Sequence, residues 1–138
     1  MTKRVGLRGI AMVVLGVGLV AGCATSGTAK RVTPADASLL TGTWEGWLYP
    51  ADGDGYSATL TISPDGTYDL LAGAFSSQGK AQITDGYVHF VSSFATGPVP
   101  GDRSGDATLM DKGSTWGLVG NGYASVGGPF NFNFSKAK

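Results

Sequence analysis

The chain has 138 residues and a formal charge of zero, with ten Lys and Arg against ten Asp and Glu. Its 23 glycines and 14% charged residues point to many tight turns and strands, and its 10% aromatic content excludes a disordered chain. One cysteine excludes an intramolecular disulfide.

Residues 2–9 carry Lys3, Arg4 and Arg8 and no acid. Residues 10–20 are apolar or glycine throughout, and the small Ala21 and Gly22 precede the single Cys23. A basic start, an apolar run and small residues before a cleavage point are the order of parts in a signal peptide. The run is shorter than the roughly 20 residues a helical membrane span needs. Val20-Ala21-Gly22-Cys23 resembles the lipobox of bacterial lipoproteins. That resemblance implies a signal helix over residues 1–22 removed by cleavage before Cys23, and a diacylglyceryl group on the Cys23 sulfur. Acylation of the new amino group often follows. The membrane lipid is then the partner, and two or three acyl chains anchor stably where one would not. A thiolate is a suitable nucleophile for the thioether-forming step. Ala24 follows Cys23 where an Asp would favour retention in the inner membrane. The expected location is the bacterial cell envelope, at the outer membrane if the host has two.

Three of the ten basic residues precede residue 23, so the 116 residues that remain carry seven basic groups against ten acids, a formal charge of −3. Nucleic acid, which calls for a basic face, is excluded as a partner. With its sulfur acylated, Cys23 offers no thiol catalysis and no metal ligand.

Residues 23–38 read as the lipidated cysteine and a polar, Pro-containing tether, in which Lys30 and Arg31 could touch anionic headgroups. The domain is expected over 39–138. From Leu39 onward apolar residues recur with period two, interrupted by turns. Trp44, Gly46 and Leu48 share one face. Tyr56, Ala58, Leu60 and Ile62 form the clearest half-buried strand, and Tyr68 and Leu70 return from a Pro64-Asp65-Gly66 turn. Residues 72–79 read as a loop. Ala81 and Ile83, then Val88 and Phe90, flank an Asp85-Gly86 hairpin signal. Residues 92–105, with two prolines and three glycines, read as the longest irregular stretch. Ala107 with Leu109, Trp116 with Leu118, and Phe130 with Phe132 and Phe134 complete the inward set, and residues 123–126 read as a short extra strand.

The fold class is therefore all-β, an up-and-down antiparallel meander of about eight strands. Closing the first strand on the last removes both exposed edges and favours a small barrel; two short packed sheets are the alternative. Thr41-Gly42-Thr43-Trp44 is similar to the Gly-x-Trp opening of lipocalins and other calycins, and to the opening of avidin-like barrels. The resemblance implies architecture and carries no ligand over. In lipocalins an Arg near the last strand commonly packs over this Trp; here that strand offers only Lys136 and Lys138.

No catalytic constellation stands out, so an enzyme is not expected, nor a metal or other cofactor. His89, the single histidine, falls on the face opposite Val88 and Phe90 and reads as a strand-surface residue. Asp52, Asp54 and Gly55 read as an acidic turn lacking the later ligands of a calcium loop. Asp102 and Asp106 read as loop acids. The interior aromatics Trp44, Tyr56, Tyr68, Phe90, Trp116 and Phe132 serve either as plain core or as the lining of a site for a small apolar or amphiphilic ligand, with residues 92–105 as its mouth or lid. A packed-core structural or protein-interaction lipoprotein is the alternative. The two part on interior volume, because a small-molecule site needs a cavity of roughly 300 Å³ or more.

Overall fold

Short turns dictate the topology. In a computed structural model that describes residues 28–96 and 102–138, the strands are β1 (Lys30–Val32), β2 (Gly42–Pro50), β3 (Tyr56–Ile62), β4 (Thr67–Ala72), β5 (Phe75–Thr84), β6 (Tyr87–Thr96), β7 (Arg103–Asp111), β8 (Thr115–Ala124) and β9 (Gly128–Ala137). Each strand from β2 to β9 pairs antiparallel with the next, and β9 returns to pair with β2 from Glu45↔Ser135 to Pro50↔Phe130. The meander is thus a closed eight-stranded barrel, not two packed sheets. The ninth strand, β1, pairs with Leu109–Asp111 of β7, beyond the reach of β6, which pairs only with Ser104–Ala107.

The turn chemistry follows the residues. Asp85 and Gly86 both have positive φ, 53° and 78°, as a two-residue hairpin of primed type requires. In the Pro64-Asp65-Gly66 turn, Gly66 N–H donates to Ser63 O at 2.9 Å, and the Asp65 carboxylate accepts from Thr67 N at 2.9 Å and Oγ1 at 2.6 Å.

The alternation places Trp44, Leu60, Ile62, Val88, Leu109, Leu118 and Phe134 inside, all at most 3% exposed. Outward positions mix polar residues, among them Glu45, Thr61, Asp69, Lys80, Gln82 and Asp106, with exposed apolar ones such as Trp47, Leu71, Val91, Val119 and Tyr123.

One end is plugged. A 3-10 turn, Ala37–Leu39, is capped by Asp36, whose side chain accepts from Ser38 N, and it drops Leu40 into the barrel. Trp44 Nε1–H donates to Leu40 O at 2.8 Å, so the buried indole holds the plug. Lys136 Nζ stands 4.7 Å from the Trp44 ring centroid and donates to Leu39 O at 2.8 Å and Thr41 O at 2.6 Å. The last strand therefore supplies a cation over this Trp. Burial pulls the Lys136 ammonium below its ordinary value.

Several sequence expectations need correction. Among the described residues the first element is β1 at Lys30, ahead of Leu39: β1, the buried Pro34 and the 3-10 turn occupy part of what read as tether. Residues 75–79 are strand, as are residues 92–96 and 103–105, and residues 123–124 continue β8 instead of forming an extra strand. The expected signal helix and Cys23 lie outside the described residues.

Three surface carboxylates are held below their ordinary value: Asp36 by hydrogen bonds from Ser38, Asp65 by those from Thr67, and Asp111 by the hydrogen bond from Lys138. Their folded values are depressed, so the stability they contribute is present above about pH 4 and is lost as pH falls through the folded values. Urea midpoints measured between neutral pH and about pH 3 should fall on the acid side.

Candidate functional site at the open end of the barrel

Among the described residues nothing plugs the other end; residues 97–101, part of the stretch expected as mouth or lid, lie outside them. Here β2, β4, β6 and β8 finish, β3, β5, β7 and β9 begin, and Leu48, Pro50, Leu70, Ala72, Phe75, Ala124 and Phe130 surround a recess. Tyr56 stands at its rim, 39% exposed, edge-on to Phe75 with ring centroids 5.4 Å apart. The Val126–Pro129 turn forms the opposite lip. The recess holds about 100 Å³, and a second space of about 40 Å³ lies deeper, against Tyr68, Ser77, Phe90 and Phe132.

One charged residue lines both spaces, Arg103. As the first residue of β7 it shares the inward side with Gly105, Ala107 and Leu109. Its backbone N–H donates to Ser92 Oγ at 2.7 Å and its Nη1 donates to Ser76 O at 3.1 Å. The guanidinium carbon lies 5.7 Å from the Phe75 ring centroid. Burial lowers its pKa and the Tyr68 hydroxyl partly offsets this, but a guanidinium remains protonated at any working pH. Burial also raises the Tyr68 phenol, whose oxygen is 3.5 Å from Ser77 Oγ. The open end thus joins apolar walls to one fixed positive charge.

The structure separates the aromatic residues read from the sequence into three groups. Tyr56 is at the mouth. Tyr68, Phe90 and Phe132 form an edge-to-face chain below it, with centroids 5.4 and 6.0 Å apart, and all three touch the deeper space. Trp44 and Trp116 are at the closed end, far along the barrel from the recess; Trp44 holds the plug, and Trp116 carries the Lys138 ammonium 4.3 Å above its ring. Leu48, Leu70, Phe75, Arg103 and Phe130 were missed as a group. The signal that could have found Arg103 was the alternation of β7 run back two residues past Gly105.

His89 is on the outer wall, its Nδ1 paired with the Asp106 carboxylate and its Nε2 3.3 Å from Thr84 O. Asp52 and Asp54 occupy an exposed turn. Trp47 and Tyr49, also outside, are about half exposed and lie nearly parallel at 6.4 Å, with Gly55 backed against both rings. No family model, curated protein or solved structure matches this chain.

Proposed function

We propose that this chain is a lipid-anchored protein of the bacterial envelope whose barrel takes the apolar end of a small amphiphile at its open mouth. The supporting observation is the recess itself: apolar walls drawn from β2, β4, β5, β8 and β9, with Arg103 as the one charge lining it among the described residues. An apolar tail end would leave water among Leu48, Leu70 and Phe130, and an anionic or polar head would lie near the guanidinium.

The volume narrows this reading. By the criterion of roughly 300 Å³ a recess of about 100 Å³ does not enclose a small molecule, and what this reading keeps is a chain tip at the mouth. The interior below is filled by Trp44, Phe132 and Phe134, so the barrel holds the tip of a chain and not a whole ligand. The same filling favours a second reading, a packed structural or protein-interaction lipoprotein with no ligand. Native mass spectrometry on the protein purified from its host separates the two. A co-purifying small molecule of defined mass supports the first reading, and the bare acylated chain supports the second. Tryptophan fluorescence is a poor reporter here, because Trp44, Trp47 and Trp116 do not line the recess.

The anchor has its own expected result. Cys23→Ser removes the sulfur that the acyl groups require. The protein should move from the detergent phase to the aqueous phase on partitioning; a variant that stays with the detergent contradicts the lipobox reading.

A further inference from the structure

Charge is not spread evenly over the barrel. Of the seven Lys and Arg among the described residues, Lys30, Arg31, Lys112, Lys136 and Lys138 stand at the closed end, and Lys80 reaches it through Asp65 O. The turns at the open end carry Asp52, Asp54 and Asp102. Four acids share the closed end with the cations. Asp36 and Asp65 turn their carboxylates onto Ser38 and Thr67 of their own loops, Asp111 pairs with Lys138 at 2.7 Å, and Asp85 occupies the β5–β6 turn. Lys136 is committed to Leu39 O and Thr41 O. The four acids stay ionised, so six cations against four acids leave this end formally +2; Lys30, Arg31 and Lys112 are its outward cations, with Arg31 stacked 4.3 Å over the partly exposed Tyr87 ring.

A second, independent observation concerns where the chain enters. β1 starts at Lys30 on this same end, seven positions after Cys23. Even fully extended, that segment reaches only about 25 Å. A lipid on Cys23 therefore keeps the cationic end within reach of the membrane surface, while the mouth lies at the far end of the barrel.

We propose that the closed end is a membrane-facing foot: Lys30, Arg31 and Lys112 seat it on anionic phospholipid, and the recess is held pointing away from the anchoring bilayer. The orientation rests on the lipid-anchor reading; the attraction of this end for an anionic surface does not. Juxtamembrane Lys and Arg contribute roughly 1 kcal/mol each near such a surface, about fivefold in partitioning, and salt screens the effect.

The test uses residues 24–138, which contain every described strand and every described closing pair of the barrel. At low salt the domain should co-sediment with phosphatidylglycerol vesicles and not with phosphatidylcholine vesicles, and about 0.5 M salt should release it. Lys30→Gln, Arg31→Gln and Lys112→Gln together should weaken the partitioning about a hundredfold, with the thermal melt showing the fold intact. Asp52→Asn with Asp54→Asn makes the net charge more positive by about two at the opposite end and should leave binding within about twofold. Equal sedimentation with both vesicles, no binding at low salt, or a triple variant that binds like its parent overturns the proposal. None of these outcomes depends on acylation, which the Cys23→Ser partitioning reports separately.

Discussion

Gly46→Val is expected to prevent the barrel from closing. Gly46 is on the inward side of β2 between Trp44 and Leu48, at the seam where β2 meets β9. A Cβ there would overlap the Asn133 carbonyl oxygen and come within 2.7 Å of Phe134 Cα. Both are backbone atoms of the partner strand, so no rotamer change relieves the clash, and only separation of β2 from β9 can. Overpacking that forces backbone shifts costs about 3 kcal/mol or more, a large share of the 5–15 kcal/mol that holds a typical domain. The loss is greater than packing alone suggests, because a parted seam restores the two bare edges that closure removes. Urea unfolding followed by circular dichroism should show a lower midpoint, and light scattering should show association. Native-like stability in Gly46→Val would mean that β2 and β9 do not form the seam described.

Trp44→Ala should be nearly as damaging, for a different reason. The indole is fully buried, and its N–H satisfies Leu40 O. Its removal leaves a large cavity, an unpaired carbonyl and a plug without its tie. Aromatic-to-Ala changes in cores cost about 3–5 kcal/mol. Trp44→Phe keeps most of the volume and loses the hydrogen bond, so it should fall between parent and alanine variant. The spacing of these three midpoints in urea measures how much the tie to Leu40 contributes beyond packing.

The interplay of Gly and Phe explains which parts of the fold were legible. Strands whose inward residues are all apolar, such as Ala58, Leu60 and Ile62 in β3, show a clean period of two. β8 places Gly120 and Gly122 inward, because Phe132 and Phe130 of β9 fill the space a Cβ would need. β5 places Ser77 and Gly79 inward, and Gly79 is where its register with β6 shifts and where Val91 and Ser92 approach too closely for a side chain. Small inward residues erase the hydrophobic alternation while the strand continues, so residues 75–79 and 103–105 read as loop. Arg103 was lost in the same way: a charged residue beside prolines and glycines looks like loop, and its inward position depends on pairing with β8. The tether was overestimated because β1 is polar and short, and its pairing with β7 joins residues far apart in sequence.

Of the aromatic set, Trp44, Tyr68, Phe90 and Phe132 are buried, Trp116 is partly buried and Tyr56 is exposed at the rim. Period two says which side of a strand a residue faces, and nothing about how far along the barrel it lies. Trp44 and Trp116 share the inward side with Phe132 but belong to the closed end, while Leu48, Leu70 and Phe130, less conspicuous in the sequence, surround the opening.

The most direct test of the account is methyl-resolved NMR of the barrel titrated with decanoate, a carboxylate on a plain apolar chain. Shifts should be confined to Leu48, Leu70, Ala72, Ala124 and Val126, should saturate, and should vanish in Ala72→Leu, which fills the recess at a cost of about 1–3 kcal/mol. No saturable shift at these methyls, or equal shifts at the closed-end residues Leu40 and Leu118, would contradict a binding site at the mouth.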